Sequence, residues 1–368
     1  MLLWVKHLGC GFLIGAANVV PGVSGGSLLL LLGLYQRVMS ALSELKGNFF
    51  HKTIRHSSGL LFSSQRKKHF DSLLELFKGI DGIFLCQIAI GAALSILLLS
   101  DLIDYLLDNQ FTNTYAFFFG LILVSIFYSL RFLKKRRAYH LIPMLIGAIL
   151  TIYISSAVNP ADSVILKSEH YKSIYETQIT DDSDTPEPTS TNFASSYTLT
   201  DLLFSSISGA VSLSAMILPG VSGSLVLILM GQYGEVISAV SGLRTFEIDS
   251  FIFLTFFALG MIFGTLLFAR VINWVLKRFY NGTIALLIGL MAGSLHALWP
   301  FKRVVVMDQY IRTPEGISLL NNISVYTNIN TLPSGGSEFL QALLLCLSGI
   351  SIMILLSYYG RKKTVQFQ

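Results

Sequence analysis

The sequence predicts an all-α integral membrane protein in which one folding unit occurs twice, the second copy inverted relative to the first. Three observations lead there: apolar runs of membrane-spanning length, a proline- and glycine-containing motif that recurs deep in the chain, and basic residues gathered into a few loops. Hydrophobic residues fill 53% of the 368 positions and charged ones only 13%, about half the charge of a soluble domain. Mean hydropathy is +0.64. The net charge of +5 does not point to nucleic acid, because the charges lie in the loops between apolar spans, where they orient a membrane protein. Cys10, Cys86 and Cys346 sit singly in apolar runs with no metal or redox spacing, so no metal site and no cofactor are expected.

The first element, residues 1–20, is apolar like a secretory signal. It has little positive charge ahead of it, and the residues that follow recur later in the chain, so it is read as part of the mature protein. Residues 21–41, PGVSGGSLLLLLGLYQRVMSA, align without a gap to residues 219–239, PGVSGSLVLILMGQYGEVISA, 198 positions on, with twelve identities in twenty-one. Residues 88–107 align more weakly to 257–276 at a shift of 169, which also sets Gly120 on Gly289, Leu121 on Leu290 and Ser125 on Ser294. Spans are expected at 83–107, 114–130 and 140–157 in the first half, and at 251–276, 283–300 and 338–359 in the second. The expected divisions are a first membrane repeat at 1–158, a flexible external loop at 159–200 rich in Ser, Thr and acids, and a second repeat at 201–368.

Charge sets the orientation. Seven Lys or Arg residues lie in an insert at 45–80, five in Arg131–Arg137 and three in Arg361–Lys363, while Arg270, Lys277 and Arg278 flank another loop. Giving each motif segment one crossing, the rival parity, puts Lys277, Arg278 and Arg361–Lys363 outside. Placing all four regions in the cytoplasm leaves each motif segment without a net crossing, as a re-entrant hairpin bent at PGVSG. Three crossings then separate the two copies, which inverts the second. Both termini are cytoplasmic in this arrangement, with Lys302, Arg303 and Arg312 outside. In the insert, Leu73, Leu74, Phe77 and Ile80 share one helical face, a pattern that suits either an interfacial helix against anionic headgroups or a helix packed on the protein.

At each motif, proline suits the first turn of a helix, Ser24 or Ser222 can cap the helix that follows, and glycine admits close approach. The expectation is a helix start with free N–H groups aimed into the membrane interior, a site for an anion such as phosphate. Candidate binding residues are Asn18, Pro21, Gly22, Ser24, Gly25, Gly26 and Ser27 in the first copy, and Pro219, Gly220, Ser222, Gly223 and Ser224 in the second. Asn18 is matched by Met216, so the first copy has the richer polar set. Arg37 and Glu235 hold equivalent positions and, with Arg270, are accessory candidates that also suit interfacial anchoring.

The paired segments NVVPGVSGGS (18–27) and LPGVSGS (218–224), each followed by an apolar helix with Gly and Tyr, resemble the bacterial polyprenyl-phosphate transporters of the PopT type over essentially the whole chain. The resemblance implies a flippase of the cytoplasmic (inner) membrane that recycles undecaprenyl phosphate for peptidoglycan and other envelope glycans, with the motif residues at the substrate. The partner implied is a polyprenyl phosphate lipid, and the coupling ion left open is a proton or sodium. A different class, the undecaprenyl-diphosphate phosphatases, shares the inverted repeat and a PG-x-S turn but carries an arginine in that turn and a paired acid motif nearby. PGVSGGS has no arginine and no paired carboxylates beside it, so an enzyme is not expected. A carrier of a small soluble anion is the third reading.

Overall fold

The computed structural model describes residues 2–19, 24–45, 47–62, 66–134, 137–157, 197–243, 248–313, 316–333 and 335–364. Pro21, Gly22 and Val23 of the first motif, and nearly all of the expected external loop, lie outside the described residues. The first half contains α1 (Leu2–Val19), α2 (Gly25–Leu31), α3 (Tyr35–Ser43), α4 (Gly47–Phe62), α5 (Arg66–Gly79), α6 (Gly82–Asn109), α7 (Phe111–Ser129) and α8 (Leu141–Ser156). The second contains α9 (Leu199–Ile217), α10 (Gly223–Leu229), α11 (Tyr233–Gly242), α12 (Ile248–Arg278), α13 (Tyr280–Ala297) and α14 (Ser337–Thr364).

Each of the six expected spans is a helix, α6, α7, α8, α12, α13 and α14. Among the described residues six helices are long and apolar enough to cross a membrane, and that set holds α9 in place of α13. The polar Tyr280, Asn281 and His296 dilute the apolar run of α13. Most of α13, from Thr283 to Ser294, is buried among other helices, whereas outer helices show lipid-type surfaces such as Leu97 and Leu98 on α6, Tyr153 on α8 and Phe263 on α12.

The halves repeat the same backbone contacts. Gly11 of α1 abuts the Ile88 carbonyl of α6, and Gly209 of α9 abuts the Phe257 carbonyl of α12. Gly91 meets the Leu8 carbonyl as Gly260 meets the Ser206 carbonyl. Across the halves, Gly120 of α7 lies on the Cys346 carbonyl of α14, and Gly289 of α13 lies on the Met144 carbonyl of α8. Small residues let these backbones touch, the means by which helices associate in lipid. The main core likewise draws on both halves, joining Leu30, Tyr35, Met39 and Phe84 to Val221, Ala269, Leu287 and Met291.

Two features differ from the sequence reading. Each motif segment breaks twice. After the motif, a seven-residue helix ends at Gly33 (φ 72°) or Gly231 (φ 69°), where the Leu34 N–H bonds the Leu29 carbonyl and the Gln232 N–H the Leu227 carbonyl, both at 2.9 Å. Left-handed glycine with this return bond is a standard helix stop, and it turns α3 away from α2 by 110°. The second feature is an antiparallel hairpin of β1 (Lys302–Thr313) and β2 (Gly316–Asn330) in a helical chain, where the sequence reading placed only a loop. Phe111 stacks on Tyr326 with ring centroids 3.7 Å apart, and Lys302 Nζ and Asn330 Nδ2 donate to the His296 carbonyl of α13 at 3.3 and 3.1 Å, which fixes the hairpin base to the helices. In the insert, α5 packs along α4 with Ile80 buried and Leu74 exposed, so its apolar face is only partly covered.

Candidate functional site

The two motifs meet. Ser24, 2% exposed, caps α2 by accepting from the Gly26 N–H at 3.1 Å. Its hydroxyl hydrogen points into the other half, with the Met216 carbonyl at 3.0 Å and the Leu218 carbonyl at 2.9 Å. Those two carbonyls end α9 immediately before Pro219. A Cβ on Gly26 would strike the Ile217 carbonyl, so glycine here is what lets the copies touch. On the other side Gly220, with φ 82°, lies against the Leu290 carbonyl of the buried α13.

The expectation of free amides fails at the first copy. The Gly25 N–H donates to Asn18 Oδ1 at 2.8 Å, the Gly26 N–H to Ser24 Oγ, and the Ser27 N–H to the Ser24 carbonyl at 2.9 Å. Asn18 is therefore a cap that closes the helix start, satisfying donors that would otherwise be orphaned. Ser27 is fully buried, and its hydroxyl has no hydrogen-bond partner among the described residues. The second copy is open. Ser222 makes no capping bond, and its hydroxyl instead lies 2.8 Å from that of exposed Ser224. The Gly223 and Ser224 amides carry no hydrogen bond among the described residues. Ser212 fixes this turn from α9, donating to the Gly223 carbonyl at 3.0 Å.

The accessory residues do not join the motifs. Arg37 forms a bidentate pair with Asp81, at 2.6 and 3.0 Å, lies 3.9 Å over the Phe84 ring and approaches His7 Nε2 at 3.3 Å. His7 bonds Gln87 through its other ring nitrogen at 2.7 Å. A cleft of about 440 Å³ opens beside this cluster, lined also by Gln36, Ser40 and Glu44. Glu235 is exposed on α11, far in the chain from Asp81 and not its competitor. Arg270 reaches α3, donating to the Leu45 carbonyl at 2.8 Å, and next to it Asn273 donates to Ser43 Oγ at 2.7 Å. Arg270 thus holds the end of a helix. Sequence reasoning missed Asp81, Phe84, His7, Asn273 and Ser43; the only linear signal was a lone Asp ahead of an apolar span.

Comparison with known proteins identifies the family. A family model described as VCA0040-like, undecaprenyl phosphate translocase-like, matches residues 14–313. The chain is 31% identical to a polyprenyl-phosphate transporter of Vibrio cholerae over 96% of both chains. It is 28% identical to a polyprenyl-phosphate transporter of Staphylococcus aureus, over 81% of this chain and 86% of that one. No solved structure gives a significant match. The chain therefore belongs to the undecaprenyl phosphate translocase-like family.

Proposed function

We propose that this protein moves undecaprenyl phosphate from the outer to the cytoplasmic leaflet of the bacterial inner membrane, binding the headgroup at the two PGVSG motifs. One observation carries the reading. The first motif's serine bonds the backbone directly ahead of the second motif, so the two glycine-rich turns form one seam between the halves. The names of the relatives supply the substrate class. An inverted repeat, with re-entrant motif segments and both termini in the cytoplasm, supplies the means of exposing that seam to each leaflet in turn. The paired backbone contacts of the two halves support that symmetry.

The physics favours such a route. A phosphate monoester in hydrocarbon is expensive, whereas its isoprenoid tail is at home in lipid, so only the headgroup needs shelter. In the described state the second motif is the one that can receive an anion, through the Ser222 and Ser224 hydroxyls and the two free amides. The first motif becomes a site only when Ser24 releases α9.

The test uses purified protein in vesicles with undecaprenyl phosphate placed in one leaflet. Transfer between leaflets should depend on the protein and fall strongly when Ser24 and Ser222 are both replaced by alanine. Unchanged transfer in that double variant would overturn the site. Release of phosphate from undecaprenyl diphosphate would replace the transport reading with an enzymatic one, and competition by free phosphate alone would replace it with a soluble-anion carrier.

A further inference from the structure

We propose that the α4–α5 hairpin docks on the anionic phospholipid surface of the membrane that the chain spans. Phe70 and Leu74 of α5 enter the interface, and Lys67 and Lys78 meet lipid phosphates. The hairpin stands apart from the helix bundle. α4 packs on α5, and α5 meets the rest of the chain mainly at the start of α6. His56 and His69, with their Nδ1 atoms 3.2 Å apart, join the two helices. Phe77 anchors α5 to α6, lying so close to Gly82 that a Cβ there would strike its ring. No residue of α5 is fully buried.

That anchor covers only part of an apolar stripe. At about 3.6 residues per turn, Leu73, Phe77, Phe70 and Leu74 follow one another around one side of α5. Leu73 and Phe77 are half-buried, whereas Phe70 and Leu74 are 57% and 39% exposed. Lys67 and Lys78 border the exposed edge of the stripe, and Asp71 and Glu75 come next, farther from it. All four charged residues are exposed. A helix solvated all round has no reason to sort its side chains in this order. An interfacial helix does: its apolar residues enter the headgroup boundary, lysines at the margin reach phosphate, and carboxylates stay in water.

The hairpin also sits at headgroup height. The apolar run of α6 begins at Gly82, directly after α5. α1 runs parallel to α6, since Gly11 and Gly15 meet Ile88 and Ala92 in the same order and His7 bonds Gln87. Exposed Trp4, one turn before His7, is therefore level with the first turn of α6. Tryptophan gathers at the membrane–water boundary, so that boundary lies where α5 joins α6. Charge then names the occupant. Exposed Lys52, Arg55, Arg66, Lys67, Lys68 and Lys78 on the hairpin outnumber the two exposed acids, Asp71 and Glu75. Among the described residues neither Lys67 nor Lys78 forms an ion pair. An uncharged surface could cover Phe70 and Leu74 but would leave these lysines without a counter-charge; anionic lipid supplies both contacts, each lysine favouring docking roughly fivefold. Docking ties the α5–α6 corner, which carries Asp81 of the Arg37 cluster, to the bilayer surface.

The experiment is spin-label accessibility on the full chain in vesicles, with Cys10, Cys86 and Cys346 changed to alanine and a nitroxide on Phe70→Cys, Leu74→Cys, Asp71→Cys or Glu75→Cys in turn. The vesicles are phosphatidylcholine alone or phosphatidylcholine with one-third phosphatidylglycerol. They hold no polyprenyl phosphate, so the result does not depend on transport. With phosphatidylglycerol present, labels on Phe70→Cys and Leu74→Cys should become accessible to oxygen, which collects in lipid, and lose access to a water-soluble nickel chelate. Labels on Asp71→Cys and Glu75→Cys should stay open to nickel. The contrast should shrink in phosphatidylcholine alone and in high salt. Lys67→Gln with Lys78→Gln should lower the ratio of docked to undocked hairpin roughly 25-fold, and Lys67→Arg with Lys78→Arg should keep it. If the label on Phe70→Cys itself weakens insertion, Leu74→Cys reads the same stripe with Phe70 intact. Equal nickel access at all four positions in phosphatidylglycerol vesicles overturns the proposal, as does docking indifferent to the anionic lipid or to the lysines. Labels on Phe70→Cys and Leu74→Cys closed to both reagents also overturn it, because protein and not lipid then covers the stripe.

Discussion

Ser24 and Ser222 hold the same place in the two copies of the motif, yet the fold gives them opposite surroundings. Ser24 is buried, caps its helix and bonds two carbonyls of the other half. Ser222 is half-buried and leaves the amides after it bare, its hydroxyl turned to Ser224. The sequence difference is small: Asn18 against Met216 before the motif, and Gly26 against Ser224 within it. Those two differences account for the structural one. Asn18 supplies the acceptor for the Gly25 amide, and Gly26 allows the contact with Ile217 that brings Ser24 within reach of α9. Near-identical motifs therefore do different work in one state, the first clamping the halves together and the second presenting donors.

The largest effect should come from the contact that permits the clamp. Gly26→Ala puts a methyl into the Ile217 carbonyl, and the backbone of α2 or α9 has to move. The expected loss is about 3 kcal/mol, read as easier unfolding in mixed detergent micelles. Ser224→Ala, at the matching position, should change stability by less than about 0.5 kcal/mol because its side chain is exposed. Equal effects at the two positions would remove the distinction between clamp and open site.

Next come the serines themselves. Ser24→Ala removes a cap and a bond between halves and leaves the Gly26 amide unpaired, for a loss of about 1–2 kcal/mol. Ser222→Ala should leave stability within about 0.5 kcal/mol, because no capping bond is lost. Its cost should appear in lipid-phosphate binding to the described state, measured by titration in nanodiscs. The single comparison separates the two roles: Ser24 moves stability first, Ser222 moves binding first.

The parts of this contrast that were legible in the sequence are those written in local pattern. The spans show as apolar runs and the repeat as self-similarity, whereas the helix stop at Gly33 and Gly231 went unread beside the bend expected at PGVSG. What was not legible depends on partners distant in the chain. Ser24 reaches across 192 residues to Met216, and Arg270 across 225 to Leu45. No spacing rule announces such pairs, and a serine that caps a helix looks in sequence like one that binds an anion. The hairpin at Lys302–Asn330 was hidden for another reason. Its Val- and Ile-rich stretches are shorter than the spans on either side and read as the loop between them. Burial lowers the Lys302 ammonium at its base to about 8.

The accessory pair gives the smallest and sharpest comparison. Arg37 and Glu235 are equivalent in the repeat, but among the described residues only Arg37 has an opposite charge within reach. The Arg37–Asp81 pair is bidentate, yet the two side chains are 43% and 41% exposed, so water screens much of the attraction and the pair contributes about 0–1 kcal/mol. A further offset comes from Asp81, whose backbone is left-handed at φ 56° and whose carboxylate stands at the start of α6 without capping it. Freed from Arg37, Asp81 can relax and bond the first amides of α6, recovering part of the loss. Arg37→Gln should therefore cost less than about 1 kcal/mol in unfolding experiments, and less still in high salt. Glu235→Gln should leave stability unchanged. If Arg37→Gln proved as damaging as Gly26→Ala, the cluster beside the cleft, and not the seam between the motifs, would be what holds α3 in place.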